Sequence, residues 1–171
     1  EHKVIPDIVT LGKPMGNGHP IAAVITTKEI AKVFNNGMEY FNSFGGNPVS
    51  CAVGNAVLDV IHEEKLQSHA NKVGKYFLSK LLKIKNKFPN LISEVRGRGL
   101  FIGIDFIYNN KSFKPNPKLA SSIINTLREK GILLSTDGPY HNVIKIKPPL
   151  PFNKNDVDFV CFEIDYYLSS L

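Results

Sequence analysis

The sequence predicts an α/β first third, followed by an α+β unit in which helices cover a small antiparallel sheet. Three observations carry this. Short apolar runs alternate with dense glycine and proline loops in the first third. A long amphipathic pattern of helical period crosses the middle of the chain. Two short apolar runs joined through Asp137-Gly138-Pro139 then alternate with helical segments.

The elements follow in order. Ile8-Val9-Thr10-Leu11 is a strand-type run ended by Gly12, and Pro14, Gly16, Asn17, Gly18 and Pro20 form a loop. Residues 21–25 (IAAVI) read as a buried strand. Thr26 with Glu29 forms a capping box that opens a helix through Phe34. Residues 35–46 are an irregular loop, and Asn47-Pro48 starts a helix with the stripe Val49, Ala52, Val53, Ala56, Val57, Val60. Leu66, Ala70, Val73, Phe77, Leu81, Ile84 and Phe88 share one face of the next helix, which Pro89 stops. A glycine-punctuated strand lies within 93–107, at Leu100-Phe101-Ile102-Gly103-Ile104-Asp105-Phe106. Ala120, Ile123, Ile124 and Leu127 mark a helix closed by Gly131. Ile132-Leu133-Leu134-Ser135 and Val143-Ile144-Lys145-Ile146 read as strands, and Val157, Val160, Cys161, Ile164 and Leu168 mark the last helix.

With 171 residues, 43% hydrophobic and 21% charged, the chain has the balance of a globular protein and the length to bury a core. Disorder and low-complexity architectures are excluded. No apolar run approaches the ~20 residues needed to span a bilayer. Glu1-His2-Lys3 opens without the apolar segment of a signal peptide. Cys51 and Cys161 have no framework around them, so a reducing cytoplasm is the expected compartment. The net charge of +6 permits anionic ligands without demanding nucleic acid.

Several features read as structure rather than chemistry. Lys65, Lys72, Lys75, Lys80, Lys83 and Lys87 form the solvated face of the long helix, with no arginine and aromatic interleaving of a nucleic-acid module. His2, His19, His62, His69 and His141 lack metal-ligand spacing, so no metal is expected. Gly12-Lys13 fails as a phosphate-binding Walker loop, because Asp7 and Pro14 stand where a glycine and a Ser or Thr are required. Lys13 keeps a catalytic reading. It ends an apolar strand among Gly12, Pro14 and Gly16, at the kind of strand-to-loop edge where active sites concentrate. The competing reading is a snorkelling surface lysine.

The segment Pro6-Asp7-Ile8-Val9-Thr10-Leu11-Gly12-Lys13-Pro14-Met15-Gly16-Asn17-Gly18 resembles the cofactor-lysine segment of the class III (omega-type) aminotransferases. Three further stretches resemble the same family in order: Phe41-Asn42-Ser43-Phe44-Gly45-Gly46-Asn47-Pro48, Val95-Arg96-Gly97-Arg98-Gly99-Leu100, and Lys145-Ile146-Lys147-Pro148-Pro149-Leu150. The resemblance implies a fold-type I enzyme dependent on pyridoxal 5′-phosphate (PLP), with Lys13 forming the Schiff base and serving as general base and acid. It implies that Ser43, in place of the usual Thr, contacts the PLP phosphate of a neighbouring subunit, and hence a homodimer. Residues 1–61 would be the C-terminal part of the PLP-binding large domain, and 62–171 the small C-terminal domain.

Two departures from the family pattern matter. Many members carry an arginine at the position of Lys145 that clamps a substrate carboxylate, and a point charge does not replace a bidentate fork. Residues 133–150 look most like the branch of ethanolamine-phosphate and phosphohydroxylysine phospho-lyases, which act on an amine whose own carbon bears no carboxylate. Lys145 is therefore a candidate substrate-binding residue, set against a strand lysine that merely points at solvent. The family's phosphate loop, ring-stacking aromatic and pyridine-pairing aspartate precede the lysine and have no counterpart here. The expectation is the C-terminal portion of an enzyme acting on a small primary amine by transamination or by phosphate elimination, inactive as an isolated piece. A non-catalytic folded fragment serving dimerisation or interaction is the alternative.

Overall fold

The structure is a computed structural model that describes residues 3–171; Glu1 and His2, part of the opening read above, lie outside the described residues. The chain divides into two compact units between Glu64 and Lys65.

In the first unit β1 (Ile8–Leu11) pairs antiparallel with β2 (Ala23–Thr26), Leu11 opposite Ala23 and Ile8 opposite Thr26. Strand β2 starts later than its apolar run predicts, because the four residues of β1 offer partners only to Ala23–Thr26. Thr26 is thereby held in the strand, and its hydroxyl donates to the Asp7 carbonyl at 3.0 Å. The cap of α1 (Lys28–Phe34) passes to Thr27, whose hydroxyl accepts from the Ile30 amide at 3.4 Å, so the predicted Thr26 capping box does not form. The second strand, read as buried, is open, with Val24 67% exposed, and Ile8 of the first is 53% exposed.

Helix α2 (Pro48–Glu63) starts as predicted, with the Asn47 carboxamide oxygen accepting from the Ser50 amide at 2.9 Å. Its contacting face differs from the predicted one. Ser50, Val53, Gly54, Val57 and Ile61 turn inward, while Val49 and Val60 stay exposed. Gly54 sets this rotation by admitting Ile21, since a Cβ there would stand 3.1 Å from Ile21 Cδ1.

The second unit runs α3 (Leu66–Lys87), β3 (Ile92–Arg98), β4 (Phe101–Phe106), α4 (Pro117–Arg128), β5 (Ser135–Asp137), β6 (Val143–Ile146) and α5 (Lys154–Ser169). The four strands form one antiparallel sheet in the order β3-β4-β6-β5. Alternation along β4 and β6 sends Ile102, Ile104, Phe106, Ile144 and Ile146 to one face. Val73, Phe77 and Leu81 of α3, Ile123 and Leu127 of α4, and Val157 and Ile164 of α5 join them in the core. The predicted stripes of these helices are the buried ones because each keeps its helical period along its length.

Two differences stand out in this unit. The glycine-punctuated segment is a hairpin, β3 turning into β4 at Gly99, whose φ of +54° suits a residue without Cβ. The run Ile132-Leu133-Leu134 does not pair. The Ile132 amide instead donates to the Leu127 carbonyl at 3.0 Å, and pairing with β6 begins at Ser135. The sheet's other face carries Glu94, Arg96, Asp105, Asp137 and Lys145 around Gly103, with Phe101 and Val143 beside them.

Candidate active-site residues

The end of β1 determines the setting of Lys13. Gly12 is extended, and Lys13 then takes a φ of +50° as the first residue of a 3-10 turn, Lys13–Gly16. That left-handed conformation costs a non-glycine residue about 1 kcal/mol, so the surrounding turn must hold it. Three backbone hydrogen bonds do so: Met15 to the Gly12 carbonyl at 3.2 Å, Asn17 to Pro14 at 2.9 Å, and His19 to Gly16 at 3.0 Å. Gly16 is buried, and a Cβ there would meet Ile21 Cγ2 at 2.6 Å. Lys13 itself stays exposed on this pinned turn.

A cleft of about 660 Å³ lies within the first unit, lined by Met15, His19, Ile21, Asn42, Ser50 and Gly54 among others. His19 Nε2 and Ser50 Oγ share a hydrogen bond of 2.8 Å across it. The loop carrying Ser43 is tied to the start of α2. Asn42 Oδ1 accepts from the amides of Phe44 and Gly45, at 3.2 and 2.9 Å. Asn47 Nδ2 donates to the Phe44 carbonyl at 2.7 Å and to Ser50 Oγ at 2.9 Å. Ser43 is exposed at the tip of this Asn42-closed turn. Lys13 and Ser43 thus both belong to the first unit, each presented to solvent by a hydrogen-bonded loop.

Lys145 belongs to the second unit. It stands on β6 opposite Gly103 of β4 and Ser135 of β5. Its ammonium forms an ion pair with Asp137, its diagonal neighbour on β5. The Lys145 hydrogen bond holds the Asp137 carboxyl below the usual carboxylate range, helped by the Gly138 amide, which donates to Oδ1 at 2.8 Å. The lysine's charge is thus engaged by a neighbouring strand, with its side chain 28% exposed.

Arg96 stands on the opposite side of Gly103 and bridges Glu94 and Asp105, each at 2.8 Å. The Asp105 hydrogen bond is the chief influence raising the Arg96 pKa. Asp105 Oδ1 is buried without a hydrogen-bond partner. Asp137, Arg96 and Asp105 were not singled out from the sequence. The signal available was their placement at every second position of adjoining strands, which needs the register to be read. Among the described residues no group of three or more His, Cys, Asp or Glu is placed to hold a metal ion. No helix of the described residues is long and apolar enough to cross a membrane.

A family model described as aminotransferase class-III matches residues 1–168. An alanine–glyoxylate aminotransferase 2-like protein of Drosophila melanogaster is 50% identical over 157 residues, 91% of this chain and 32% of that protein. An ethanolamine-phosphate phospho-lyase homolog of Caenorhabditis elegans is 47% identical over 154 residues, 90% of this chain and 33% of that one. Among solved structures, a phospholyase from Arthrobacter in complex with phosphoethanolamine superposes with a TM-score of 0.94 at 45% identity, over 99% of this chain and 40% of that one. The chain spans about a third of the length of the curated relatives it matches.

Proposed function

This chain belongs to the class-III aminotransferase family, whose members are PLP-dependent enzymes of fold-type I, and from that premise we propose that the protein eliminates phosphate from a small amino-alcohol phosphate. The observation that carries this choice over transamination is the Lys145–Asp137 ion pair. A lysine already engaged by a carboxylate is a poor clamp for a second carboxylate, so the position suits an amine whose own carbon bears none. The phospho-lyase relatives support the same choice.

Lys13 fits the role of cofactor attachment. It is an accessible primary amine fixed on a turn that a buried glycine and three hydrogen bonds hold in place. In this reading Lys13 Nζ would hold the PLP through its aldehyde, and the Ser43 hydroxyl would donate to the phosphate of the PLP bound by a partner subunit in a homodimer. When bound, PLP supplies an electron sink for the carbon that bears the substrate amine. Lys13 Nζ would take the proton from this carbon and remain as the acid that can return it. Phosphate leaves from the adjacent carbon. Overall, ethanolamine phosphate and water give acetaldehyde, ammonia and phosphate.

The test is to assay the full-length holoenzyme on ethanolamine phosphate and on an amino acid with a keto acid. Phosphate release from the first is expected. Keto-acid exchange without phosphate release assigns the protein to transamination instead. Borohydride reduction followed by peptide mapping should place the label on Lys13; a label on Lys28 or Lys145 removes the attachment assignment.

A further inference from the structure

We propose that His19 is a positioning residue for the cofactor phosphate: through Ser50 and Asn47 it fixes the loop that presents the Ser43 hydroxyl. The inference rests on Lys13 and Ser43 holding PLP, as in the function proposed above, and adds the side chains that set where Ser43 stands.

Ser43 needs such support. It is exposed, and its hydroxyl rotates on a side chain with no methyl to restrain it. Its reach is therefore set by the backbone on either side. On one side Asn42 Oδ1 takes the Phe44 and Gly45 amides, and the packing is close enough that a Cβ on Gly45 would stand 2.8 Å from the Asn42 carboxamide. On the other side Asn47 holds the Phe44 carbonyl twice, through its backbone amide at 3.4 Å and through Nδ2 at 2.7 Å. The Asn47 carboxamide is oriented in turn by Ser50, whose amide donates to Oδ1 at 2.9 Å and whose hydroxyl accepts from Nδ2 at 2.9 Å. His19 Nε2 fixes that hydroxyl from across the cleft, at 2.8 Å. A hydroxyl both donates and accepts, so this bond forms with either tautomer of the ring.

His19 has a firm footing for the task. Its amide donates to the Gly16 carbonyl at 3.0 Å, and a Cβ on Gly16 would stand 3.3 Å from His19 Cβ. Ile21 sets the spacing between this turn and α2, since it packs on Gly16 with one methyl and on Gly54 with another. Apolar contact fixes a distance but permits sliding, whereas a hydrogen bond also fixes direction. His19, Asn47 and Ser50 are all half-buried, where such bonds are stronger than in water. The series Gly16, His19, Ser50, Asn47, Phe44 thus runs from the turn of Lys13 to the loop of Ser43. Breaking it at His19 leaves the Lys13 turn its own backbone hydrogen bonds and its buried glycine. The loss should therefore fall on the phosphate end of the cofactor and spare the aldehyde end.

The test titrates full-length apoenzyme, prepared from the holoenzyme, with PLP and with pyridoxal, which lacks the phosphate. Both carry the aldehyde that Lys13 would hold, so the ratio of their dissociation constants, read from cofactor absorbance, isolates the phosphate contacts. Ser43→Ala should lower the preference for PLP by about tenfold, as for a hydrogen bond to a charged acceptor. His19→Leu should lower it by about fivefold. Ser50→Ala should match His19→Leu, and His19→Gln, which keeps a polar group at similar reach, should restore most of the loss. Added to Ser43→Ala, His19→Leu should change the ratio no further, because the two act in one chain. A merely structural role would weaken both ligands alike and would persist in the Ser43→Ala background; either result overturns the inference. An unchanged ratio in Ser50→Ala also overturns it, and that variant decides the matter if His19→Leu does not fold. A lowered ratio in Ser43→Ala with none in His19→Leu overturns the inference while the functional reading stands. An unchanged ratio in Ser43→Ala removes Ser43 from the phosphate and overturns both.

Discussion

Gly74 of α3 lies so close to Gly99 in the β3–β4 turn that a Cβ on Gly74 would stand 2.0 Å from the Gly99 carbonyl oxygen. The obstacle is backbone, at a residue with a φ of +54°, and cannot swing aside as a side chain tip would. Alanine favours a helix over glycine by about 1 kcal/mol, but overpacking costs about 1–3 kcal/mol or more. Gly74→Ala should therefore lower the urea midpoint of the chain, whereas Gln67→Ala on the exposed side of the same helix should not. Equal midpoints for Gly74→Ala and wild type would refute the close approach.

The contact between α3 and α5 carries a pH dependence. The Tyr76 hydroxyl donates to Asp158 Oδ1 at 2.7 Å, and Lys80 Nζ approaches the same oxygen at 2.8 Å. The Lys80 and Tyr76 hydrogen bonds lower the Asp158 pKa from 3.8, and the Asp158 bond leads in raising that of Lys80 from 10.5. A depressed acid contributes stability above its unfolded pKa and loses it as pH falls through the lower folded value. A raised lysine contributes below its unfolded pKa and loses it as pH rises through the higher folded value. Asp158→Asn should flatten both limbs, below roughly pH 4 and above roughly pH 10.5. Both groups are solvent-exposed, so the effect is small and salt-sensitive. Urea midpoints across pH at low and high salt measure it; unchanged limbs would show that the contact makes no contribution.

The two thiols should differ in reactivity. Cys161 is 6% exposed, and desolvation is the largest cause pushing its pKa up to about 12. Cys51 is exposed on α2. The thiolate is the reactive species, so a thiol reagent at pH 8 should modify Cys51 in the native 171-residue chain and reach Cys161 only after denaturation. Native labelling of Cys161 at the rate of Cys51 would contradict the burial.

The long helix and the last helix were legible because Phe77, Leu81, Val157 and Ile164 belong to unbroken stripes whose burial follows from period alone. Pairing was less legible. Leu133 and Leu134 have strand composition, yet a strand needs partners, and the short β6 offers them to Ser135, Thr136 and Asp137. On α2 a small residue decided the inward face: Gly54 lets Ile21 approach, which a hydrophobic stripe does not reveal. Thr26 and Thr27 could each cap α1, and the pairing of Thr26 with Ile8 settled the matter. Lys13 and Ser43 emerged through the motifs around them. Asp137 did not, because its relation to Lys145 is a diagonal of the sheet that exists only once register is known.

The strand order β3-β4-β6-β5 also sets an order of events in folding. Each outer strand joins its inner neighbour through a short turn, at Gly99 for one hairpin and after Asp137 for the other. Such hairpins form in about 1–10 μs. Joining β4 to β6 instead requires the whole of segment 107–142, with α4 inside it, to close, at an entropic cost of about 3 kcal/mol. The late step is thus the meeting of the two hairpins. Truncating Ile104 or Ile144, which face each other across that seam, should slow refolding. Lengthening the stretch between β4 and α4 should barely do so, since doubling a loop adds only about 0.6 kcal/mol.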